Sequence, residues 1–146
     1  MQQTPARLST IRFIVFNYDR CLEYFLLNAL QLVYGLQRNE AATIVDGLDI
    51  FHPYGVVAEL PLLGSGIPFG GGDNLENLNV DLVGLSKGVK TYTEQMTAGD
   101  TLTRLHADMF WAEQFVFLGF GYHDQNLLML TPANIEAGDR HRQRHV

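Results

Sequence analysis

The sequence predicts an α/β protein with a parallel layer of sheet, on three observations. The apolar run Ile11-Arg12-Phe13-Ile14-Val15-Phe16 stops abruptly at Asn17-Tyr18-Asp19-Arg20 and gives way to a helical pattern. A second such run, Gln114-Phe115-Val116-Phe117-Leu118, follows another helical stretch and stops at Gly119-Phe120-Gly121-Tyr122-His123-Asp124. Apolar runs without alternation suit strands covered on both faces, and a strand, helix, strand, helix, strand order favours parallel pairing.

Taken in order, Ile11–Phe16 is the first strand. The first helix follows, with Leu22, Phe25, Leu26, Ala29, Leu30 and Val33 on a helical period and Gly35 as its stop. Gln37–Gly47 reads as a connection. Leu48–Phe51 reads as a short second strand that Pro53 brings to an end.

Residues 56–79 hold Pro61, Pro68 and Gly70-Gly71-Gly72, the composition of a long loop, either a lid or decoration. Val80–Tyr92 carries weak strand character with a turn at Lys87-Gly88, and Gly99-Asp100 opens a helix. That helix has Leu102, Leu105, Met109, Phe110 and Ala112 as its core face. Asn126–Leu130 is a further short helix, and the polar ending that includes Arg140–His145 reads as frayed.

At 146 residues and 47% hydrophobic content the chain has the length and apolar content of one packed domain. Its net charge is −6, and residues 1–139 hold seven Lys or Arg against sixteen Asp or Glu, a balance of −9. Such an acidic body disfavours nucleic acid as a partner. No stretch has the length and apolarity of a membrane span, since Glu23, Asn28 and Gln31 interrupt the longest candidate. The single cysteine, Cys21, makes no internal disulfide, so a reducing cytoplasm is the expected compartment, and a small core residue is its expected role.

Three constellations carry chemistry. Asn17 and Asp19 stand at a strand's carboxyl end, where open α/β sheets bind ligands. The amide suits a sugar hydroxyl or a water, although Asp19 is equally placed to cap the following helix. His52 and Tyr54 are two apart after the second strand and face one side if the chain stays extended, the first as a base and the second as a donor. Gly119 and Gly121 let backbone approach a ligand closely, and the plainer reading is a sharp turn. Asp19, His52, His123 and Asp124 match no metal-binding spacing, so no metal is expected.

In this order, Phe16-Asn17-Tyr18-Asp19-Arg20-x-Leu22-Glu23, Phe51-His52-Pro53-Tyr54-Gly55, Thr91-Tyr92-Thr93-Glu94-Gln95 and Phe117-Leu118-Gly119-Phe120-Gly121-Tyr122-x-Asp124-x-Asn126-Leu127 resemble the sirtuin-like domains of bacterial proteins. The resemblance implies a Rossmann-like parallel sheet with flanking helices and a pocket for NAD or another ADP-ribose nucleotide, with NAD as substrate or ligand. Asn17 and Asp19 match the family's Asn-x-Asp pocket motif. Gly119 and Gly121, with Tyr122 beside them, match the late glycine segment that lines the adenosine-ribose side. The family's His-Gly pair has two counterparts, His52, which Pro53 follows, and Tyr54, which precedes Gly55; the second would put a phenol in place of the base.

Two departures bear on function. The zinc-ribbon cysteines of the family's protein deacylases are absent, which disfavours deacylation. No Gly-rich phosphate loop precedes Asn17, so the chain resembles the carboxyl-terminal part of a sirtuin-like domain, framed as residues 1–135 with a polar, disordered tail at 136–146. Two function classes stay open. One is hydrolysis of NAD at the nicotinamide–ribose bond, in the setting of bacterial defence. The other is a non-catalytic nucleotide-binding or protein-interaction module, whose missing amino-terminal elements are supplied by self-association or a partner.

Overall fold

The computed structural model describes residues 8–58, 60, 82–97 and 99–131. The chain divides into two compact units, Met1–Thr91 and Tyr92–Val146.

In the first unit, β1 (Arg12–Ile14) pairs in parallel with β2 (Asp49–Phe51), Phe13 standing opposite Ile50. The Val15 N–H donates to the Phe51 carbonyl at 2.8 Å and carries the pairing one step past the strand. At the other end Arg12 Nε lies 3.2 Å from Asp49 Oδ2. Parallel strands need a crossover between them, here supplied by two helices, α1 (Cys21–Tyr34) and α2 (Arg38–Asp46). Gly35, at φ 66°, closes α1 in the left-handed conformation that a residue without Cβ adopts without strain, as the sequence indicates.

Two expectations are corrected here. Gln37–Gly47 is no mere connection, because Glu40 accepts the Gln37 backbone N–H at 2.8 Å, a capping interaction that starts α2. Ala41, Ala42 and Val45 then bury against Leu27 and Leu30 of α1. The buried stripe of α1 is Glu23, Leu27 and Leu30, whereas Phe25 and Val33 are exposed. Packing against α2 selects this stripe, rotated from the one that apolarity alone selects.

After β2 the chain turns at His52–Gly55, and Val56 and Tyr54 exchange backbone hydrogen bonds with Gly88 and Lys90. Leu82–Ser86 is a short helix, α3, where strand character was expected, while the turn at Lys87-Gly88 is present. Of the loop expected at 56–79, all but residues 56–58 and 60 lie outside the described residues, as does the polar ending.

The second unit is helical. It comprises α4 (Tyr92–Thr97), α5 (Gly99–Trp111) and α6 (Asp124–Leu130). Leu105 of α5 and Met129 of α6 are fully buried, and the His106 ring Nε2 lies 2.9 Å from the Met129 carbonyl oxygen. Phe110, expected in the core, is 78% exposed. The strand expected at Gln114–Leu118 does not form: the segment has no ladder hydrogen bond among the described residues, and Phe115 to Leu118 are exposed. An apolar run becomes a strand only beside a partner backbone, and among the described residues none pairs with it. The observed architecture is therefore mixed α/β with a two-stranded parallel sheet and several helices.

Candidate functional site

The carboxyl ends of β1 and β2 lie side by side, so parallel pairing brings the Asn17 and His52 segments together. His52 Nδ1 donates to the backbone carbonyl of Asn17 at 2.8 Å. One step further along, the Val57 N–H donates to the Tyr18 carbonyl at 2.9 Å. Both strand exits are thus cross-linked by groups from the other.

The second ring nitrogen of His52, Nε2, lies 2.9 Å from Glu23 Oε1, which also accepts from Arg20 Nε at 2.7 Å. The Glu23 and His52 side chains are 3% and 7% exposed, so this pair is buried with most of its water removed, and the Arg20 guanidinium that completes the triad is part-buried. Both ring nitrogens face acceptors, an arrangement that suits the doubly protonated imidazolium. Burial opposes that charge, yet the Glu23 carboxylate and the Asn17 carbonyl outweigh it and raise the His52 pKa above the ordinary 6.5. Burial also works against the Glu23 carboxylate, but the His52 hydrogen bond and the Arg20 charge hold it below the ordinary 4.5. Glu23 Oε2 is buried without a hydrogen-bond partner.

Asp19 Oδ1 accepts the Cys21 N–H at 2.9 Å, the first amide of α1. That bond, reinforced by the Cys21 and Asn17 side chains, holds Asp19 below the ordinary carboxylate value of 3.8. Asp19 is therefore ionised at neutral pH and holds the first amide of α1 from the residue before its N-cap, Arg20. The hydrogen bond between the Cys21 thiol and the Asp19 carboxylate in turn pushes the thiol up, and Cys21 is exposed, not the core residue expected.

An open cleft of about 330 Å³ borders the triad, lined by Arg20, Glu23 and His52, by Val45 and Asp46 of α2, and by Ile50 of β2, among others. Of the residues expected from the sequence, His52 lines it, whereas Asn17, Asp19 and Tyr54 do not. Asn17 is exposed at the strand exit, and the Tyr54 ring meets Phe16 edge-on at 6.0 Å.

Gly119, Gly121 and Tyr122 belong to the second unit. Gly119 is left-handed at φ 60°, and Tyr122 holds φ 49°, an uncommon conformation for a residue with a side chain. Around them Phe117, Phe120 and Tyr122 form an aromatic trio with ring centroids 5.1 to 5.9 Å apart.

The sequence does not mark Glu23 and Arg20 as site residues; the one signal is that Glu23 shares a helical stripe with Leu27 and Leu30, an unusual place for a carboxylate. Among the described residues, no three His, Cys, Asp or Glu side chains gather as a metal-binding group, and no helix is long and apolar enough to cross a membrane. No family model matches the chain, and no curated protein or solved structure is significantly similar to it.

Proposed function

We propose that the chain is a sirtuin-like nucleotide-handling domain that takes NAD or an ADP-ribose nucleotide at the carboxyl ends of β1 and β2. The observation that carries this reading is the hydrogen bond from His52 to the Asn17 carbonyl. It joins two motif segments of the resemblance at adjacent parallel strand ends, the place where open α/β sheets bind ligands. In this reading the parallel pair is part of a Rossmann-like sheet, and the protein works in the cytoplasm.

Hydrolysis would break the bond between ribose C1′ and the nicotinamide nitrogen, whose ring takes the electron pair and loses its charge. Water then adds at C1′ and releases a proton. Positive charge develops on the ribose, and an ionised Asp19 with the Asn17 amide beside it suits that charge. A domain with this chemistry would serve bacterial defence by depleting NAD.

One observation favours the second reading, a binding or interaction module without turnover. Both nitrogens of His52 are engaged, so the ring holds no free lone pair with which to act as a base. Tyr54, the other counterpart of the family's histidine, is a phenol.

Calorimetric titration with NAD and then ADP-ribose, followed by an assay for released nicotinamide, tests both readings. Saturable binding that weakens at least about tenfold in Asn17→Ala is expected. Nicotinamide release then identifies a hydrolase, and binding without release identifies a module. A folded protein that binds neither nucleotide refutes the proposal.

A further inference from the structure

We propose that Glu23 is the positioning residue of this site: its Oε1 holds the His52 ring, whose opposite nitrogen fixes the Asn17 carbonyl, and so sets the strand exit that presents Asn17. The inference rests on the nucleotide reading above and assigns that site a residue which touches no nucleotide itself.

The geometry is a relay of two hydrogen bonds, 2.9 Å from Glu23 to the ring and 2.8 Å from the ring to the Asn17 carbonyl. It runs from the first turn of α1, through the residue after β2, to the residues that follow β1. Neither end of it is locally determined, since Asn17 and His52 are 35 residues apart and Glu23 and His52 are 29 apart.

Its composition argues against a role in stability alone. Replacing a buried ionic pair with apolar residues of similar volume is often neutral or stabilising. Here the pair also keeps Glu23 Oε2 buried with no donor, an arrangement that costs stability. What the arrangement secures, and an apolar pair would not, is a ring that carries a proton on each nitrogen and so donates to Asn17.

The relay depends on that charge. The charged groups around the ring are Glu23 and Arg20 from the entry of α1 and Asp19 from the turn before it, with Asp46 from the end of α2 on the same cleft. When the ring loses a proton, one of its two nitrogens becomes a lone pair facing an acceptor, and either the Glu23 or the Asn17 contact is lost. Nucleotide binding should therefore weaken as pH rises through the titration of His52.

The test follows the His52 ring and the backbone amides of residues 17–20 by NMR across pH 5.5 to 9, with ADP-ribose affinity measured by calorimetry over the same range. In the native chain the ring should titrate above 6.5, and the amides of 17–20 and the affinity should change with the same midpoint. In Glu23→Gln the His52 midpoint should fall, and the decline in affinity should move down in pH with it, leaving binding about tenfold weaker at pH values between the variant and native midpoints.

A residue with a merely structural role would lower affinity without moving the pH profile. Binding that keeps its native pH profile in Glu23→Gln overturns the role of Glu23 alone. Amides that ignore the ring titration in the native chain overturn the relay, and that measurement needs no variant, so it decides even if Glu23→Gln does not fold. A folded native chain that binds no ADP-ribose at any pH overturns the nucleotide reading itself, and with it the site role of Glu23.

Discussion

Ile11–Phe16 and Gln114–Leu118 have the same kind of sequence and different fates. The first supplies β1, because the crossover through α1 and α2 returns Asp49–Phe51 alongside it. The second follows α5 with no strand paired to it among the described residues, and its residues 115 to 118 are exposed. Side-chain pattern makes a segment able to pair; only a neighbouring backbone makes it a strand. The same contrast holds for polar groups. In the first unit a carboxylate, an imidazole and a guanidinium are gathered at the strand ends, whereas the corresponding stretch of the second unit presents an aromatic trio and a left-handed glycine.

Substitutions sharpen that contrast. The largest effect is expected for Glu23→Ala, which strips the buried His52 Nε2 of its carboxylate beside Arg20 and should cost about 3–5 kcal/mol in urea unfolding near pH 6. The pH dependence has a definite sign. His52, raised in the folded state, contributes stability that is complete below 6.5 and lost as pH rises through its folded value. Glu23, lowered in the folded state, contributes stability that is present above 4.5 and lost as pH falls through its own. The triad's contribution therefore peaks between those two values, and Glu23→Ala should flatten the peak.

Leu27→Ala comes next, at about 2–5 kcal/mol, since Leu27 is 1% exposed at the α1–α2 contact. Gly55 and Gly119 both hold positive φ, but a Cβ on Gly55 would fall on the Gly88 carbonyl oxygen, whereas one on Gly119 meets nothing within 4 Å. Gly119→Ala should accordingly cost about 1 kcal/mol of backbone strain, and Gly55→Ala distinctly more, as thermal unfolding would show. The smallest effect is expected for Leu118→Lys, at 87% exposure, which should shift stability by no more than about 0.5 kcal/mol. A larger loss there would mean that the second apolar run is covered after all.

Local chemistry made several elements legible. Gly35 announces the end of α1, Asp49–Phe51 falls within the run expected to be β2, and Asp124–Leu130 extends the expected short helix by two residues. The misses share one cause, dependence on a partner. Helix α2 is poor in large apolar residues and is held by a Gln37–Glu40 cap and two alanines packed on α1, a signal weaker than a broad apolar face. Asn17 and His52 could be named as strand-end residues, but their bond required the parallel register. Glu23 is not legible as a site residue because a glutamate early in a helix is ordinarily solvated; its burial follows from the rotation of α1 that α2 imposes.

The hydrogen bond between Asn17 and His52 also closes a loop of 35 residues. The entropy of closing a flexible loop grows only with the logarithm of its length, about 0.6 kcal/mol for each doubling. Extra residues in the turn between α1 and α2 would therefore weaken this closure little, provided the two helices still pack. The strand-end site is insulated from the length of chain that intervenes, so that turn is where the fold can accept new sequence without disturbing the polar groups it assembles.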